Sequence, residues 1–94
     1  MARIAVTGAT GNVGREVLEA FEPTKHELTP ISRTEYDDID SQLLDVADRE
    51  RFIDLMRGHD ILIHLAANPS PYADWDAVVE PNIEGTYNAY EAAI

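Results

Sequence analysis

The stretch Arg3-Ile-Ala-Val-Thr-Gly-Ala-Thr-Gly-Asn-Val-Gly14 sets the architecture of this chain. Ile4, Ala5 and Val6 form a short apolar run bounded by glycine, which is the pattern of a strand buried on both faces. A helical pattern begins directly after the glycines. This order of strand, tight turn and helix places the first amides of the helix at the carboxyl end of the strand, where a phosphate can accept their hydrogen bonds.

Three glycines lie in the turn, with two residues between the first and the second where the common dinucleotide fingerprint has one. Gly8 is expected to allow a sharp turn off the strand, Gly11 to leave room for a pyrophosphate, and Gly14 to let the helix pack closely on the sheet. Polar side chains flank the same turn: Thr7, Thr10 and Asn12. A glycine-rich turn without a ligand is the alternative, and the position between a first strand and a helix disfavours it.

The rest of the chain alternates between strand and helix patterns. The first helix is predicted at Asn12–Phe21, and Pro23 then stops it. Its apolar face is predicted at Val13, Val17, Leu18 and Phe21. Strands are predicted at Glu27–Ser32, 42–44 and 61–65, with an acidic connector at 36–41, a polar loop at 69–74 and helical segments from Trp75 onward.

Three local features qualify this pattern. Pro30 lies inside the second strand and cannot donate to a ladder, so we expect that strand to be short or distorted. Asp48 precedes an apolar pattern that ends at Gly58, and it is predicted to cap that helix. Pro81 is expected to kink or restart the last helical segment, because it has no amide to donate. The apolar face of that segment is predicted at Ile83, Tyr87, Tyr90 and Ala93.

Four motifs in the expected order resemble the short-chain dehydrogenase/reductase superfamily in its extended, epimerase-like branch. They are Thr7-Gly-Ala-Thr-Gly-Asn-Val-Gly14, Leu44-Asp-Val46, His64-Leu-Ala-Ala67 and Asn82-Ile-Glu-Gly-Thr-Tyr-Asn88. The resemblance covers the whole chain and looks most like uronate dehydrogenases and related NAD-dependent epimerases and dehydratases. It implies one NAD(P)-binding domain over 1–94, an α/β fold with a Rossmann-type parallel sheet in the order 3-2-1-4 and flanking helices. The fold is expected to be incomplete, with its carboxyl-terminal half absent.

The resemblance also implies a nicotinamide dinucleotide site. Asp45 is expected to face the adenine ring with Val46 along it, and Asn82 resembles a helix asparagine that supports the catalytic groups. The alternative for Asn82 is a polar residue beside a helix kink. The residues expected to contact the cofactor are Gly8, Thr10, Gly11, Asn12, Val13, Gly14, Arg33, Asp45, Val46, Leu65, Ala66, Ala67 and Asn82.

Arg33 falls where the second strand ends, about 20 residues after the glycines, where an acidic residue would favour NAD. An arginine there accommodates a 2′-phosphate, so the sequence favours NADP, with NAD as the alternative. Two other interpretations stay open. Arg33 could be a solvated group at a strand end, and Asp37 or Asp38 could reach back from the loop.

The composition bounds the classes of function. The chain has 94 residues, 45% of them hydrophobic, and no cysteine, which excludes disulfides and thiolate metal sites. No metal site is predicted. There are 18 acidic and 7 basic residues, and the formal charge of −11 disfavours nucleic acid and anionic membranes as partners. Lysine-poor acidity predicts a protein of a salt-loving organism, with an acidic mesophilic protein as the alternative. With no apolar span and no room for a signal peptide, we expect a cytoplasmic protein.

No catalytic residue can be assigned from the sequence. The resembling family needs a tyrosine followed four residues later by a lysine, whose charge lowers the tyrosine pKa. The only lysine is Lys25, and Phe21 stands four residues before it. His64 lies within a strand, where a packed neutral ring is favoured over a catalytic one.

Three functional interpretations compete. The first is the cofactor-binding part of an oxidoreductase or epimerase acting on a sugar, a uronate or a nucleotide-sugar, whose full-length form would carry the missing tyrosine and lysine. The second is a non-catalytic dinucleotide-sensing module, and the third is an inert truncated fragment. Because the last strand would lie at an exposed edge of the sheet, the isolated chain is expected to dimerise, to aggregate or to need its own continuation.

Overall fold

The computed structural model describes residues 2–35, 37–68, 70 and 72–94. The start of the predicted acidic connector, Tyr36, and both prolines of the predicted polar loop, Pro69 and Pro71, lie outside the described residues, as does Met1. In the part of the chain that is described, no helix is long and apolar enough to cross a membrane.

Four parallel strands form one sheet in the order β3-β2-β1-β4, which confirms the predicted Rossmann-type topology. The strands are β1 (Arg3–Thr7), β2 (Glu27–Ser32), β3 (Gln42–Leu43) and β4 (Ile61–His64). The helices are α1 (Asn12–Phe21), α2 (Arg49–Met56), α3 (Trp75–Val78), a π-helical segment (Val79–Glu84) and α4 (Gly85–Ala93). The predicted bounds of α1 and β2 are confirmed.

The strands alternate their side chains between two apolar layers. On one face, Ile4 and Val6 of β1 pack under α1. On the other face, Ala5 of β1 and Ile31 of β2 join Phe52 of α2 and Ala89 of α4 in one buried cluster. Each layer therefore covers one side of β1, which explains why its apolar run is continuous.

The expectation that Pro30 shortens or distorts β2 is wrong. All five residues of β1 are in register with β2, and Pro30 lies opposite Val6. The carbonyl of Ile31 faces β1, where it accepts from the amide of Ala9 at 3.2 Å. In a parallel ladder the next residue back faces the other neighbour, and β3 begins only opposite Ile31. Pro30 therefore lies where no ladder donor is needed.

The carboxyl-terminal helices differ from the predicted pattern. Pro81 lies inside the π-helical segment, so its missing amide is absorbed by a widened turn between α3 and α4. The predicted apolar face is wrong, because the side chains of Ile83, Tyr87, Tyr90 and Ala93 are exposed. The face that packs on the core is made of small residues instead: Gly85, Asn88 and Ala89. Small side chains let α4 approach α2 and the sheet closely.

Candidate functional site

The glycine turn at the carboxyl end of β1 is packed against backbone on two sides. Gly8 has a φ of +67°, and a Cβ there would lie 2.8 Å from the carbonyl carbon of Leu65. At Gly14 a Cβ would lie 2.1 Å from the carbonyl oxygen of Gly8. Backbone atoms cannot give way as a flexible side chain can, so only glycine fits at these two positions. Their predicted roles in the sharp turn and in close helix packing agree with this geometry.

Gly11 differs, because the protein leaves space around it. A Cβ at Gly11 would meet only the carbonyl oxygen of Gly8, at 3.4 Å, which is ordinary contact. Gly11 is exposed and is the N-cap of α1, and none of the described side chains caps that end of the helix. The first amides of α1 therefore stay open to an anion.

The first two residues of α1, Asn12 and Val13, are exposed as well. The prediction that Val13 lies on the apolar face of α1 is wrong, because Val13 is 60% exposed. The other three residues of the predicted face, Val17, Leu18 and Phe21, pack on Ile4 and Val6 as predicted. Asn12 and Val13 begin the helix directly after the glycine turn, which follows the carboxyl end of β1. Val13 and Asn12 lie beside the open amides, where the sequence placed cofactor contacts.

Thr7 is the buried polar centre of the site. Its Oγ1 accepts from the amides of Leu65 at 3.0 Å and Ala66 at 3.2 Å, which uses both lone pairs. Its hydroxyl hydrogen is therefore donated to Nδ1 of His64, 2.7 Å away. This assigns the hydrogen of the neutral His64 ring to Nε2, which is buried and has no partner among the described residues. Burial lowers the pKa of His64, as expected for a packed neutral ring.

The loop after β4 is held by hydrogen bonds to β1 and to the π-helical segment. Thr7 holds Leu65 and Ala66 at the glycine turn, and Ala67 is exposed just after them. Asn68 is held by Asn82, whose Oδ1 accepts from the Asn68 amide at 2.6 Å and whose Nδ2 donates to the Asn68 carbonyl at 3.1 Å. Asn82 thus supports a loop at the carboxyl edge of the sheet.

The loop after β2 carries charge to the same edge. Arg33 is exposed directly after β2. Asp38, farther along the loop, accepts from the guanidinium of Arg15, and this hydrogen bond lowers the pKa of the Asp38 carboxyl. Arg15 also donates from Nε to the carbonyl of Thr10 at 2.9 Å. The Arg15 side chain therefore joins the glycine turn to this loop.

The turn after β3 has an exposed side and a buried side. Asp45 is exposed, and its Oδ1 accepts from the amide of Ala47 at 3.0 Å. The Val46 side chain is buried against Gly85, and the Val46 carbonyl accepts from Nδ2 of Asn88 at 2.9 Å. Of the two residues predicted to meet adenine, Asp45 is thus exposed, whereas Val46 is buried. Asp48 accepts from the amide of Arg51 at 3.3 Å, so its predicted capping role is confirmed.

The structure brings most of the predicted residues to one edge of the sheet, on the glycine turn and the loops after β2, β3 and β4. It also adds residues that the sequence did not single out for a function. Gly85 and Asn88 lie within a quoted motif, but nothing in that motif indicated which loop they contact. Asn68 has no sequence signal beyond its place after β4.

The sheet order and the open glycine turn define a Rossmann-type α/β protein of the kind that binds dinucleotides. Residues 4–94 match the NAD dependent epimerase/dehydratase family. The chain belongs to that family, in agreement with the motifs read from the sequence.

Several proteins similar to this chain are named as sugar or uronate dehydrogenases. An L-arabinose 1-dehydrogenase (NAD(P)(+)) of Haloferax volcanii is 56% identical over 94 residues, covering 100% of this chain and 37% of the relative. An NAD-dependent glucose-6-phosphate dehydrogenase of the same organism is 34% identical over 99 residues, covering 97% of this chain and 38% of the relative. A mutant uronate dehydrogenase from Agrobacterium tumefaciens, solved with NAD, has a TM-score of 0.85 and 31% identity, covering 99% of this chain and 36% of that one. The chain spans little more than a third of these relatives' length.

Proposed function

We propose that this chain binds NAD(P) as the cofactor-binding part of an oxidoreductase or epimerase that acts on a sugar, a uronate or a nucleotide-sugar. The observation that carries the proposal is the open end of α1. Gly8 and Gly14 are fixed by backbone contacts, whereas Gly11 is exposed and leaves room for a pyrophosphate against the first amides of the helix. The names of the relatives support a sugar-type substrate.

In this proposal the 94 residues bind the dinucleotide and do not carry out the proton transfer. None of the tyrosines in the chain is followed four residues later by a lysine. The direct test is a calorimetric titration of the chain with NAD and NADP, together with an assay of NADPH formation with sugars. Binding without turnover is the expected result, and turnover would mean that an unassigned base, such as His64 or Asp74, moves the proton.

We propose further that NADP is bound in preference to NAD. Arg33 is exposed directly after β2, where a 2′-phosphate would lie. Asp38, one of the two carboxylates that could reach back toward a ribose, is already paired with Arg15. The expected result of Arg33→Ala is about a tenfold loss of NADP affinity with little change for NAD.

Arg57→Ala is the matched control for that test, because it removes the same charge at the opposite end of the sheet. Arg57 is exposed, follows α2 and lies next to Gly58, whose carbonyl accepts from Arg3 at the start of β1. A similar loss of NADP affinity in Arg57→Ala would assign the effect to net charge. Equal affinities of the original chain for NAD and NADP would overturn the preference.

Self-association through the free edge of β4 is the last part of the proposal. The described residues pair β4 with β1 only, and Ile61 at its start is 47% exposed. An apolar edge with open backbone groups is a template for another chain. Sedimentation velocity is expected to show dimers or larger species, and Ile61→Lys is expected to shift them toward monomer. A monomeric original chain would overturn this part alone.

A further inference from the structure

Three residues on one side of the last helical region reach the two loops at the site edge. Asn82, Gly85 and Asn88 follow one another at a spacing of three residues. Asn82 holds the backbone of Asn68 after β4, whereas Gly85 and Asn88 both contact Val46 after β3. The region therefore holds two separate loops, and Asn88 is the member whose side chain is the most deeply buried, at 5% exposure.

The hydrogen bond from Asn88 to Val46 has no substitute in the described structure of this turn. Other backbone groups of the turn are engaged locally, because the amides of Ala47 and Asp48 both donate to Asp45. The Val46 carbonyl lies past the end of β3 and receives its hydrogen bond from the Nδ2 of Asn88 at 2.9 Å. A buried carbonyl that loses its donor keeps its desolvation penalty, so the turn would move toward water if Asn88 were replaced by an apolar residue.

Asp45 lies exposed on the same turn, and it is the residue that the family resemblance expects to face an adenine ring. Its carboxylate accepts a hydrogen bond from the Ala47 amide. The neighbouring Val46 is held on its core side by the contact with Gly85 and the hydrogen bond from Asn88. The position of Asp45 is thus set by contacts from α4, although α4 itself lies on the core side of the turn. Fixing a loop before a ligand arrives lowers the entropy lost on binding.

We propose that Asn88 is a positioning residue for the adenine end of the dinucleotide site, acting through the Val46 carbonyl on Asp45. The inference rests on the proposed binding of NAD(P), and it names the part of that site which α4 controls. Gly85 serves the same arrangement, since a Cβ there would lie 2.6 Å from Cγ2 of Val46. In this proposal Asn88, which is 5% exposed, acts through the turn and not by contact with the ligand.

The test compares two probes that bind different parts of the site at the carboxyl edge of the sheet. ADP-ribose carries the adenosine and the pyrophosphate, whereas inorganic pyrophosphate reports on the glycine turn alone. Asn88→Leu keeps the side-chain size and removes the donor. The expected result, by calorimetry on the full chain well below its unfolding temperature, is about a tenfold rise in the Kd of ADP-ribose with the Kd of pyrophosphate unchanged.

Tyr87→Phe is the matched control, because it alters the neighbouring residue of the same helix on its exposed side and removes only a hydrogen bond to Glu91. It is expected to leave both Kd values unchanged. A purely structural role for Asn88 would lower the unfolding temperature while leaving both Kd values at their original level, and that result would overturn the inference.

A second measurement on the unsubstituted chain covers the case in which Asn88→Leu does not fold. The side-chain amide signals of Asn88 in a nitrogen–proton correlation spectrum are expected to shift on addition of ADP-ribose and to stay in place with pyrophosphate. Unmoved signals at saturating ADP-ribose would contradict the inference alone. An original chain that binds neither ADP-ribose nor NAD(P) would overturn the proposed function, and the inference with it.

Discussion

The glycine turn after β1 and the start of α4 are both close-packed, but against different kinds of atoms. A Cβ at Gly14 would meet the backbone of Gly8 at 2.1 Å, whereas a Cβ at Gly85 would meet a methyl group of Val46 at 2.6 Å. Backbone in a tight turn has no alternative position, while a valine side chain can rotate or shift at modest cost. The first contact therefore fixes the turn rigidly. The second leaves the Val46 side chain room to adjust, while the Val46 backbone is held by its hydrogen bond from Asn88.

Gly14→Ala is expected to give the largest effect. The collision with the Gly8 carbonyl and the Cα of Ala9 would force α1 away from the sheet, at a cost of about 3 kcal/mol in the free energy of unfolding. The midpoint of thermal unfolding is then expected to fall by more than about 10 °C. The control is Gly11→Ala, where a Cβ has room, and its unfolding free energy is expected to stay within about 0.5 kcal/mol. Equal losses in the two variants would show that the turn as a whole, and not the backbone contact, is sensitive.

Gly85→Ala is expected to lower the free energy of unfolding by less, about 1 kcal/mol. The gain in helix propensity offsets part of the cost of the collision with Val46. Val46→Ala removes that contact, so a double-mutant cycle of the two changes is expected to show a coupling of about 0.5 kcal/mol or more. Urea unfolding of the four variants measures it. Additive losses of unfolding free energy would mean that the Val46 side chain does not adjust to the methyl group added at position 85. The distinction between the two regions would then disappear.

The same difference explains what could be predicted from the sequence. At Gly14 the constraint is local, since a Cβ there would meet Gly8 and Ala9. Gly8 instead contacts Leu65 and Ala66, which follow a strand that its own apolar run makes recognisable. The bounds of α1 and β2 and the cap at Asp48 were predictable from local patterns, and the strand order followed from the family resemblance. Pro30 was misread because its tolerance depends on where β3 begins, and no local pattern carries that information.

The carboxyl-terminal helices could not be read in this way. Apolar spacing predicted burial of Tyr87 and Tyr90, but close approach to α2 selects small side chains, so Ala89 and Asn88 face the core. Hydrophobicity alone cannot tell a bulky face from a closely packed one. The contact of Asn88 with Val46 joins residues 42 positions apart, so only the fold reveals it.

His64 provides a test on the glycine-turn side that depends on pH. Burial lowers the pKa of His64 below its ordinary value of 6.5 in the folded chain, so the unfolded chain takes up the proton first as the pH falls. Stability is therefore fully present above about pH 6.5 and is lost as the pH falls through the folded pKa, with a slope of at most about 1.4 kcal/mol per pH unit. Urea unfolding from pH 8 to pH 5 measures the slope. His64→Asn keeps an acceptor for Thr7 without titrating, and it is expected to show a shallower slope; an unchanged slope would assign the pH dependence to other groups.

Tyr90→Ser is expected to have the smallest effect and to decide which face of α4 is buried. Tyr90 is 74% exposed, so its replacement is expected to change the free energy of unfolding by less than about 0.5 kcal/mol. Ala89→Ser introduces the same residue one position earlier, where the side chain is 4% exposed, and there the buried hydroxyl is expected to cost about 1–3 kcal/mol. Serine and tyrosine have similar helix propensities, so the Tyr90→Ser change reports mainly on packing.

If the apolar spacing of the sequence described the packing instead, Tyr90→Ser would cost several kcal/mol and Ala89→Ser little, because a buried aromatic ring would have been removed. Urea unfolding of the two single variants at one pH and ionic strength distinguishes these outcomes. The measurement would also test the inference about Asn88, which requires Ala89 and Asn88 to face the core together.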